Sequence, residues 1–161
     1  MDSTAKHKVA IILLNWNGLD FTLACLHSLR SLDYPHVGIF LVDNASANGE
    51  GELIKKQFPE VELIQSQINL GFAGGNNLGM RHALDLGYTH LMLLNNDTEV
   101  LPNFLSEMMP FFGNHPKLGV VQPLIYWMKD RNQIWSAGGK WNSWLGRAIT
   151  SLELQKKKDS K

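Results

Sequence analysis

The stretch VAIILL, residues 9–14, decides the fold of this 161-residue chain. Six consecutive apolar residues are typical of a strand that is buried on both faces of a sheet. Similar short runs follow at residues 37–42 (VGIFLV), 61–65 and 89–94 (THLMLL), and residues 118–122 (LGVVQ) are predicted to add a further strand. All of these runs are far shorter than the ~20 apolar residues of a membrane-spanning helix. The pattern therefore predicts several separate buried strands.

Helical patterns separate the predicted strands. The first helix is predicted to start at a capping Asp20 and to bury one face, which consists of Phe21, Ala24, Cys25, Ser28, Leu29 and Leu32. Further helices are predicted over residues 50–58, 75–86 and 102–112, with Pro or Gly at their ends. Strands that alternate with helices predict an α/β fold, in which helices cover both faces of a mostly parallel sheet.

Composition excludes several classes of protein. Fifteen Lys and Arg balance fifteen Asp and Glu, so we expect no nucleic-acid partner. Cys25 is the single cysteine, which rules out an intramolecular disulfide framework and a Cys-based zinc site, and we expect it to be buried and inert. We expect a flexible segment at residues 1–8, one domain at 9–154 and a charged, disordered tail at 155–161. With no targeting segment in view, the expected location is cytoplasmic, with a peripheral position at the inner membrane face left open.

Clusters rich in Asn, Asp and Gly follow four of the predicted strands, at residues 15–18 (NWNG), 43–46 (DNAS), 69–77 (NLGFAGGNN) and 95–98 (NNDT). Ligands of open α/β sheets bind outside the carboxyl ends of the strands, where these clusters should meet. Amides with few carboxylates suit a polar, uncharged group such as a base and ribose, and a carboxylate among them could hold a hard cation. The alternative is that these residues merely form turns and caps. A dinucleotide fingerprint, a P-loop and the G-x-S-x-G and H-E-x-x-H motifs are all absent.

Four ordered motifs resemble glycosyltransferase family 2, the inverting enzymes with a GT-A fold. They are VAIILLNWNG (9–18), LVDNAS (41–46), NLGFAGGNNLG (69–79) and LLNNDTEVLP (93–102). The likeness extends to about residue 139, and it is greatest to rhamnosyltransferase-like members that build bacterial cell-surface polysaccharide. It implies a Rossmann-like half that binds a nucleoside-diphosphate sugar, of the dTDP-rhamnose or UDP-sugar type, and a saccharide or lipid-linked acceptor.

The resemblance assigns a nucleotide-binding role to residues after the first three strands. Asn15 and Asn17 match the segment that lies along the nucleotide. Asp43 matches the aspartate that hydrogen-bonds a pyrimidine base, and its alternative role is to cap the following helix.

In the third motif, Asn69, Gly71 and Asn77 match the loop that wraps the base and ribose. Many members of the family have Arg where this chain has Asn76. This departure removes a possible cation on the phosphate side, so the sequence constrains the identity of the sugar donor less.

The triplet Asn95-Asn96-Asp97 takes the place of the family's D-x-D motif, which contacts the ribose and a divalent metal. Asn95 and Asn96 are thus nucleotide-binding candidates. Asp97 is the candidate ligand for Mg²⁺ or Mn²⁺, since one carboxylate with phosphates and waters is a usual way to hold Mg²⁺. The alternative for Asp97 is that, with Thr98, it starts a turn.

No general base is identified in the sequence. The family's base lies downstream of the D-x-D motif, but Asp130, Glu153 and Asp159 stand in irregular or tail sequence. We therefore expect the donor-binding part of an enzyme, shortened on the acceptor side or completed by a partner, or else a non-catalytic nucleotide-sugar-binding module.

A segment rich in tryptophan lies near the end of the chain. Its residues are Trp127, Trp135, Trp141 and Trp144. They are expected to be core residues or, as the alternative, to stack on an acceptor sugar. The oligomeric state cannot be read from the sequence.

Overall fold

The computed structural model describes residues 7–142, 144 and 147–150, without the side chains of 140–142 and 147–150. Two compact units divide the chain, Met1–Ser106 and Glu107–Lys161. Of the predicted flexible segment 1–8, only His7 and Lys8 are described, and the predicted tail 155–161 lies outside the described residues.

A four-stranded sheet forms the centre of the first unit. Its strands are β1 (Val9–Asn15), β2 (Val37–Asp43), β3 (Glu62–Gln65) and β4 (His90–Leu94). All neighbours in the order β3-β2-β1-β4 are parallel. The continuous apolar run of β1 is buried on both faces, as the sequence predicts, because β1 lies inside the sheet between β2 and β4.

Three helices cover this sheet, α1 (Leu19–Leu29), α2 (Glu50–Gln57) and α3 (Gly71–Asp85). Since successive strand residues point to opposite faces, alternate residues of β1 and β2 pack on different helices. One face packs on α3 in a buried cluster that consists of Ala10, Ile12, Phe40, Val42 and Ala83. On the other face Ile11, Leu13 and Leu41 are fully buried, and α1 and α2 pack there. The predicted α/β fold is confirmed.

The face that α1 buries is rotated slightly about the helix axis from the predicted face, so the prediction is wrong in part. Thr22 and Leu26 are buried, whereas Ala24 is exposed and Phe21 is 64% exposed. The predicted cap is also wrong, because the residue before the helix is Gly18, which makes no side-chain capping hydrogen bond. A polar residue occupies the inner face because hydrogen bonds to neighbouring loops hold the hydroxyl of Thr22 inside.

The predicted helix over residues 102–112 is two shorter helices, α4 (Phe104–Met108) and α5 (Pro110–Asn114). Pro110 has no N–H to continue the α4 hydrogen-bond ladder and instead occupies the first turn of α5. The predicted helix over residues 75–86 begins four residues earlier, at Gly71.

The second unit contains two antiparallel strand pairs. They are β5 (Ile125–Tyr126) with β6 (Ile134–Ser136), and β7 (Gly139–Asn142) with β8 (Arg147–Thr150). The predicted strand at residues 118–122 is wrong, since this segment pairs with no strand in the described part of the chain. Its apolar residues lack a neighbouring ladder, and Val120 is 84% exposed.

The described tryptophans of the second unit are not core residues. Trp127 and Trp135 pack edge to face with ring centroids 6.3 Å apart, but both remain half-exposed. Trp144 is 91% exposed, and the side chain of Trp141 lies outside the described residues.

Candidate functional site

A cleft of about 450 Å³ opens at the carboxyl ends of β1 and β4, beside the first turns of α3. It brings together five of the residues that the sequence singles out, namely Asn69, Gly71, Asn95, Asn96 and Asp97. Asn44 and Asn76 also line the cleft. Among the described residues that line the cleft, Asp97 alone has a charged side chain, and the rest of the polar wall consists largely of amides. The cleft therefore suits a ligand with many neutral hydrogen-bonding groups.

The remaining wall of the cleft is apolar, and it is formed by Leu14, Trp16, Phe72, Leu93 and Leu94. Trp16 and Phe72 are both exposed, so their rings are accessible to a ligand. An apolar wall opposite polar groups is typical of sites for small molecules with a flat ring.

Four other predicted residues do not line this cleft: Asn15, Asn17, Asp43 and Asn77. Asn77 lies on an exposed side of α3. The other three lie beside the cleft, in a hydrogen-bonded network that connects the loops after β1 and β2.

Asn15 is the centre of this network and is fully buried. Its side-chain nitrogen lies within hydrogen-bond distance of three oxygens, 3.3 Å from Asp43 Oδ1, 3.0 Å from Ser46 Oγ and 2.9 Å from Glu50 Oε2. Its side-chain oxygen accepts a 2.7 Å hydrogen bond from the hydroxyl of Thr22. Asn15 thus joins β1 and α1 to the loop after β2, and no polar atom of its side chain is left over for a ligand.

Asp43 is also held in the network, below the start of α2. It is buried, and Gly51 of α2 lies against it so closely that a Cβ there would be 2.9 Å from Asp43 Oδ2. Neither α2 nor the short turn Ala47–Gly49 before it has a side-chain capping hydrogen bond. The geometry therefore gives no support to the capping alternative for Asp43.

Two further contacts fix the loop that follows β1. The carboxylate of Glu50 accepts a hydrogen bond from the main-chain N–H of Gly18 at 3.1 Å. Asn17 donates its main-chain N–H to Ser46 Oγ at 3.0 Å and accepts from the N–H of Ala47 at 2.8 Å. Asn17 has a left-handed φ of 51°, a conformation that Asn tolerates better than most residues. Hydrogen bonds from both Asn17 and Gly18 therefore connect the loop after β1 to the segment that follows β2.

Asn44 connects the end of β2 to the loop before α3, as Asn15 connects β1 to the loop after β2. Its side chain is buried and donates to Asn69 Oδ1 at 2.9 Å, while its oxygen accepts from the N–H of Leu70 at 2.9 Å. Asn69 Oδ1 also accepts from the N–H of Gly71, at 2.8 Å. These bonds satisfy main-chain N–H groups next to the first turn of α3, which the helix itself cannot pair.

Two glycines allow α3 to lie close to the sheet. A Cβ at Gly75 would be 2.3 Å from Leu14 Cδ1, and a Cβ at Gly79 would be 2.6 Å from Ile12 Cγ2. No larger residue fits at these positions without displacing β1 side chains. The glycines therefore set the distance between the helix and the carboxyl ends of the strands.

The loop after β4 completes the cleft. Asn96 donates to the hydroxyl of Thr22 at 2.9 Å, which joins this loop to the Asn15 network. Thr98 donates to the main-chain oxygen of Asn95 at 2.6 Å, so Asp97 lies in a turn and its carboxylate is exposed. Cys25 lies below the loop, and burial raises the pKa of its thiol to about 11. Cys25 is therefore a structural residue, as the sequence predicts.

No group of three or more His, Cys, Asp or Glu side chains that could hold a metal ion is present among the described residues. Asp97 can contribute one carboxylate, and the Asn95 side chain beside it can contribute one neutral oxygen. This donor set fits a hard cation that takes its other ligands from phosphate oxygens and water.

The sequence alone does not reveal Thr22 and Glu50 as parts of the site, and it includes Asn44 in a cluster without giving it a role. The pairs Asn15–Glu50 and Asn96–Thr22 are 35 and 74 positions apart in the chain. The signal that could have found them is a polar residue at a position expected to be buried, since such groups require partners.

A parallel sheet with covering helices, and an amide-rich cleft at its carboxyl edge, define an open α/β protein, a class in which ligands bind at this edge. The chain belongs to glycosyl transferase family 2, whose family model matches residues 10–160.

The relatives in sequence are larger than this chain. Poly-beta-1,6-N-acetyl-D-glucosamine synthase from Staphylococcus epidermidis is 29% identical over 116 residues, which are 65% of this chain and 27% of the synthase. The chain therefore corresponds to about a quarter of that relative.

Solved structures support the fold. S. aureus TarS 1-349 in complex with UDP matches 71% of this chain and 38% of its own, with a TM-score of 0.60 and 19% identity. The mannosyltransferase PcManGT from Pyrobaculum calidifontis, in complex with GDP-Man and Mn²⁺, matches 77% of this chain and 37% of its own, with a TM-score of 0.64 and 20% identity. The described chain contains no helix with the length and hydrophobicity needed to cross a membrane.

Proposed function

We propose that this chain is the donor-binding part of an inverting glycosyltransferase. The sugar would pass from a nucleoside diphosphate to a saccharide or lipid-linked acceptor. One observation carries the proposal: residues of all four family motifs meet in one cleft, where hydrogen bonds of amide side chains hold the loops. Such a prearranged wall can bind a neutral base and sugar without reorganising.

We propose two roles for the residues of the site, contact with the ligand and support of the loops. Asn69, Gly71, Asn95 and Asn96 face the ligand, whereas Asn15, Asn17 and Asp43 hold the loops in place. The resemblance assigns Asn15, Asn17, Asp43 and Asn77 direct contact with the nucleotide. We propose instead that Asn15, whose side chain is buried and hydrogen-bonded, acts through the position of the loop.

The diphosphate is proposed to lie near Asp97 with Mg²⁺ or Mn²⁺. The described residues that line the cleft include no Lys or Arg, so they offer the diphosphate no cationic side chain. When bound, a divalent ion stabilises the negative charge that develops on the leaving nucleoside diphosphate. The protein's own contribution to metal binding would be the exposed carboxylate of Asp97, which the loop after β4 holds in place. TarS has also been determined with UDP-GlcNAc, and PcManGT with Mn²⁺, which supports donors of this class.

A non-catalytic nucleotide-sugar-binding module is the second candidate. It is favoured by the lack of a carboxylate other than Asp97 among the residues that line the cleft, because inversion needs a general base for the acceptor hydroxyl. Asp130 lies in a turn of the second unit, where its carboxylate accepts from the N–H of Asn132 at 3.1 Å. Glu153 and Asp159 lie outside the described residues.

Titration calorimetry of the chain with UDP, dTDP and GDP, each with and without Mn²⁺, tests the proposal. We expect binding of at least one nucleotide, strengthened at least tenfold by Mn²⁺. Negligible heat for all three nucleotides would contradict donor binding. Asp97→Ala should remove the Mn²⁺ dependence, while Asp85→Ala, an exposed carboxylate at the end of α3, should leave it unchanged.

Sugar transfer separates the two candidates. Release of nucleoside diphosphate in the presence of a saccharide acceptor would support the enzyme. Tight binding without release, in a chain that includes any further sequence of the natural protein, would support the binding module. We expect no binding of nucleic acid, and we leave contact with a membrane surface and the dTDP-rhamnose type of donor as alternatives for the same assays.

A further inference from the structure

One row of residues on α1 is polar although the helix covers the sheet. The row consists of Thr22, Cys25 and Ser28, which follow one another at intervals of three residues and therefore lie on the same side of the helix. Thr22 and Cys25 are fully buried, and Ser28 is half-buried. Because buried hydroxyl groups require hydrogen-bond partners, the row must lie against a polar neighbour.

Thr22 contacts the start of the loop that follows β4, which we call the β4 loop (residues 95–100). Its hydroxyl donates to Asn15 Oδ1 at 2.7 Å and accepts a hydrogen bond from the side-chain nitrogen of Asn96 at 2.9 Å. Gly18 leaves the space for this amide, since a Cβ there would be 2.8 Å from Asn96 Nδ2. The start of the β4 loop is therefore fixed to α1.

Ser28 contacts the other end of the β4 loop, six residues further along α1. Its hydroxyl donates to the main-chain oxygen of Cys25 at 2.7 Å, and its oxygen accepts from the N–H of Val100 at 3.2 Å. Between the two ends, Cys25 Sγ lies 4.0 Å from the main-chain oxygen of Asn95. The row thus contacts the β4 loop along its length.

Asp97 lies between the two anchored residues of the β4 loop. Asn96 and Val100, which bond to the row, are half-buried, whereas Asp97 is exposed and lines the cleft. Thr98 donates to the main-chain oxygen of Asn95 at 2.6 Å and so closes the turn that contains Asp97. The carboxylate is therefore exposed to a ligand, while the main chain on either side of it is held by α1.

The chain between the anchors is longer than the distance that it spans. Thr22 and Ser28 are six residues apart on a helix, which corresponds to about 9 Å along its axis. Residues 96–100 could extend over about 13–14 Å. A segment with this much excess length has one conformation only if its ends are fixed. The hydrogen bonds to the two hydroxyl groups, rather than the length of the chain, therefore determine the position of Asp97.

We infer that Thr22 and Ser28 are positioning residues, whose hydroxyl groups hold the β4 loop so that the Asp97 carboxylate is placed for a divalent cation bound with the donor's diphosphate. This inference rests on the proposed nucleotide-sugar function. A single protein carboxylate binds a cation better when it is already held in position, because less conformational freedom is lost on binding. Groups that orient a metal ligand typically change metal affinity by about 10–100-fold when they are removed.

A purely structural role of the two hydroxyl groups makes a different prediction. Their loss would then lower the free energy of unfolding, because buried partners are left unpaired. It would not change the affinity of the remaining folded molecules for a metal ion. Metal affinity of the folded protein therefore distinguishes positioning of Asp97 from stabilisation of α1.

Electron paramagnetic resonance of Mn²⁺ tests the inference, because the signal of free Mn²⁺ decreases when the ion binds. The dissociation constant of Mn²⁺ is measured in the presence of UDP for the full chain and its variants, after circular dichroism has shown that each is folded. Thr22→Val keeps the branched side chain without the hydroxyl, and Ser28→Ala removes the second anchor. We expect each change to weaken Mn²⁺ binding by about tenfold.

Two further variants test the route through the β4 loop. Thr22→Ser retains a hydroxyl and should restore Mn²⁺ affinity to within about threefold of the unchanged chain. In a double-mutant cycle, Thr22→Val should alter Mn²⁺ affinity by less than about twofold when Asn96 is already alanine, because the hydroxyl acts through this amide.

The matched controls are hydroxyl groups that hydrogen-bond outside the β4 loop. Ser31→Ala removes a hydroxyl that donates to the main-chain oxygen of Ser28 at 2.7 Å. Thr89→Val removes a hydroxyl that accepts from the N–H of Lys8 at 3.0 Å, just before the amino end of β4. Both controls should bind Mn²⁺ as the unchanged chain does.

Unaltered Mn²⁺ affinity in folded Thr22→Val or in folded Ser28→Ala would overturn the inference. Effects of Thr22→Val and Asn96→Ala that simply add would overturn it as well, and so would a Thr22→Ser variant as weak as Thr22→Val. If Thr22→Val does not fold, Ser28→Ala decides, since Ser28 is only half-buried. Failure of the proposed function looks different, because neither UDP nor Mn²⁺ would then bind the unchanged chain.

Discussion

Asn15 and Asp43 end adjacent parallel strands in register, and the side-chain amide of Asn15 donates to the carboxylate of Asp43 at 3.3 Å. Both side chains are buried.

This contact gives the first prediction. Asn15→Leu keeps the branched shape of the side chain but leaves the Asp43 carboxylate and the Thr22 hydroxyl without their shared partner. We expect the free energy of unfolding to fall by about 3 kcal/mol in urea titrations, since each buried group left unpaired costs about 1–3 kcal/mol. Asn103→Leu, at an exposed site, should change it by less than about 0.5 kcal/mol.

Glu50 is predicted to order the loop after β1 through the N–H of Gly18. In Glu50→Ala, the Gly18 amide loses its acceptor, so its hydrogen exchange should accelerate at least tenfold relative to the β1 amides. Glu52→Ala, on the exposed side of the same helix, is the control and should leave Gly18 unaffected. Equal exchange rates at Gly18 in the two variants would exclude the proposed role of Glu50.

Gly79→Ala should destabilise the protein by about 1–3 kcal/mol. The added methyl group would lie 2.6 Å from Ile12 Cγ2 and 2.9 Å from Val42 Cγ2, and these β-branched side chains have little freedom to move. Gly113→Ala in α5 meets no atom within 4 Å and should be neutral, or stabilising by less than about 1 kcal/mol. Thermal or urea unfolding of both variants provides the comparison, and equal stabilities would show that α3 can move away from the sheet.

Cys25 is predicted to be unreactive in the native protein. Burial raises the pKa of its thiol from 9.0 to about 11, so little thiolate exists at pH 8. A thiol-specific reagent such as DTNB should react with Cys25 only after addition of denaturant. Because the raised pKa belongs to the folded state, the protonated thiol contributes stability that is complete below about pH 9. This contribution is lost as the pH rises from about 9 toward 11. Rapid labelling of native protein at pH 8 would contradict the burial of this side chain.

The centre of the sheet was predictable because β1 is a short, continuous apolar run, and such runs reflect burial on both faces. The inner face of α1 was not, because apolarity selects Phe21, whereas the structure buries Thr22 for its hydrogen bonds to Asn15 and Asn96. Residues 118–122 have the composition of a strand but no neighbour to pair with. Local pattern predicts what a segment can form, and only long-range partners decide whether it does.

In the candidate site, too, the local sequence predicted some features, whereas others depend on long-range partners. The clusters after the strands identified the cleft and its residues Asn69, Asn95 and Asp97. The sequence could not distinguish residues that line the cleft from residues that support them. Asn15 and Asn76 are both buried amides, yet Asn76 lines the cleft, whereas Asn15 lies beside it with both polar atoms of its side chain hydrogen-bonded within the protein.

The network around Asn15 also has a kinetic consequence. Its bonds join residues from 7 to 74 positions apart, from Thr22 with Asn15 to Asn96 with Thr22. The contact with Asn96 needs β4 to be in place beside β1, after the chain between them has folded back. Contacts of such high sequence separation form late, because loop closure must precede them. The ligand cleft is therefore assembled at the end of folding, and a nucleotide that binds it should slow unfolding more than it accelerates folding.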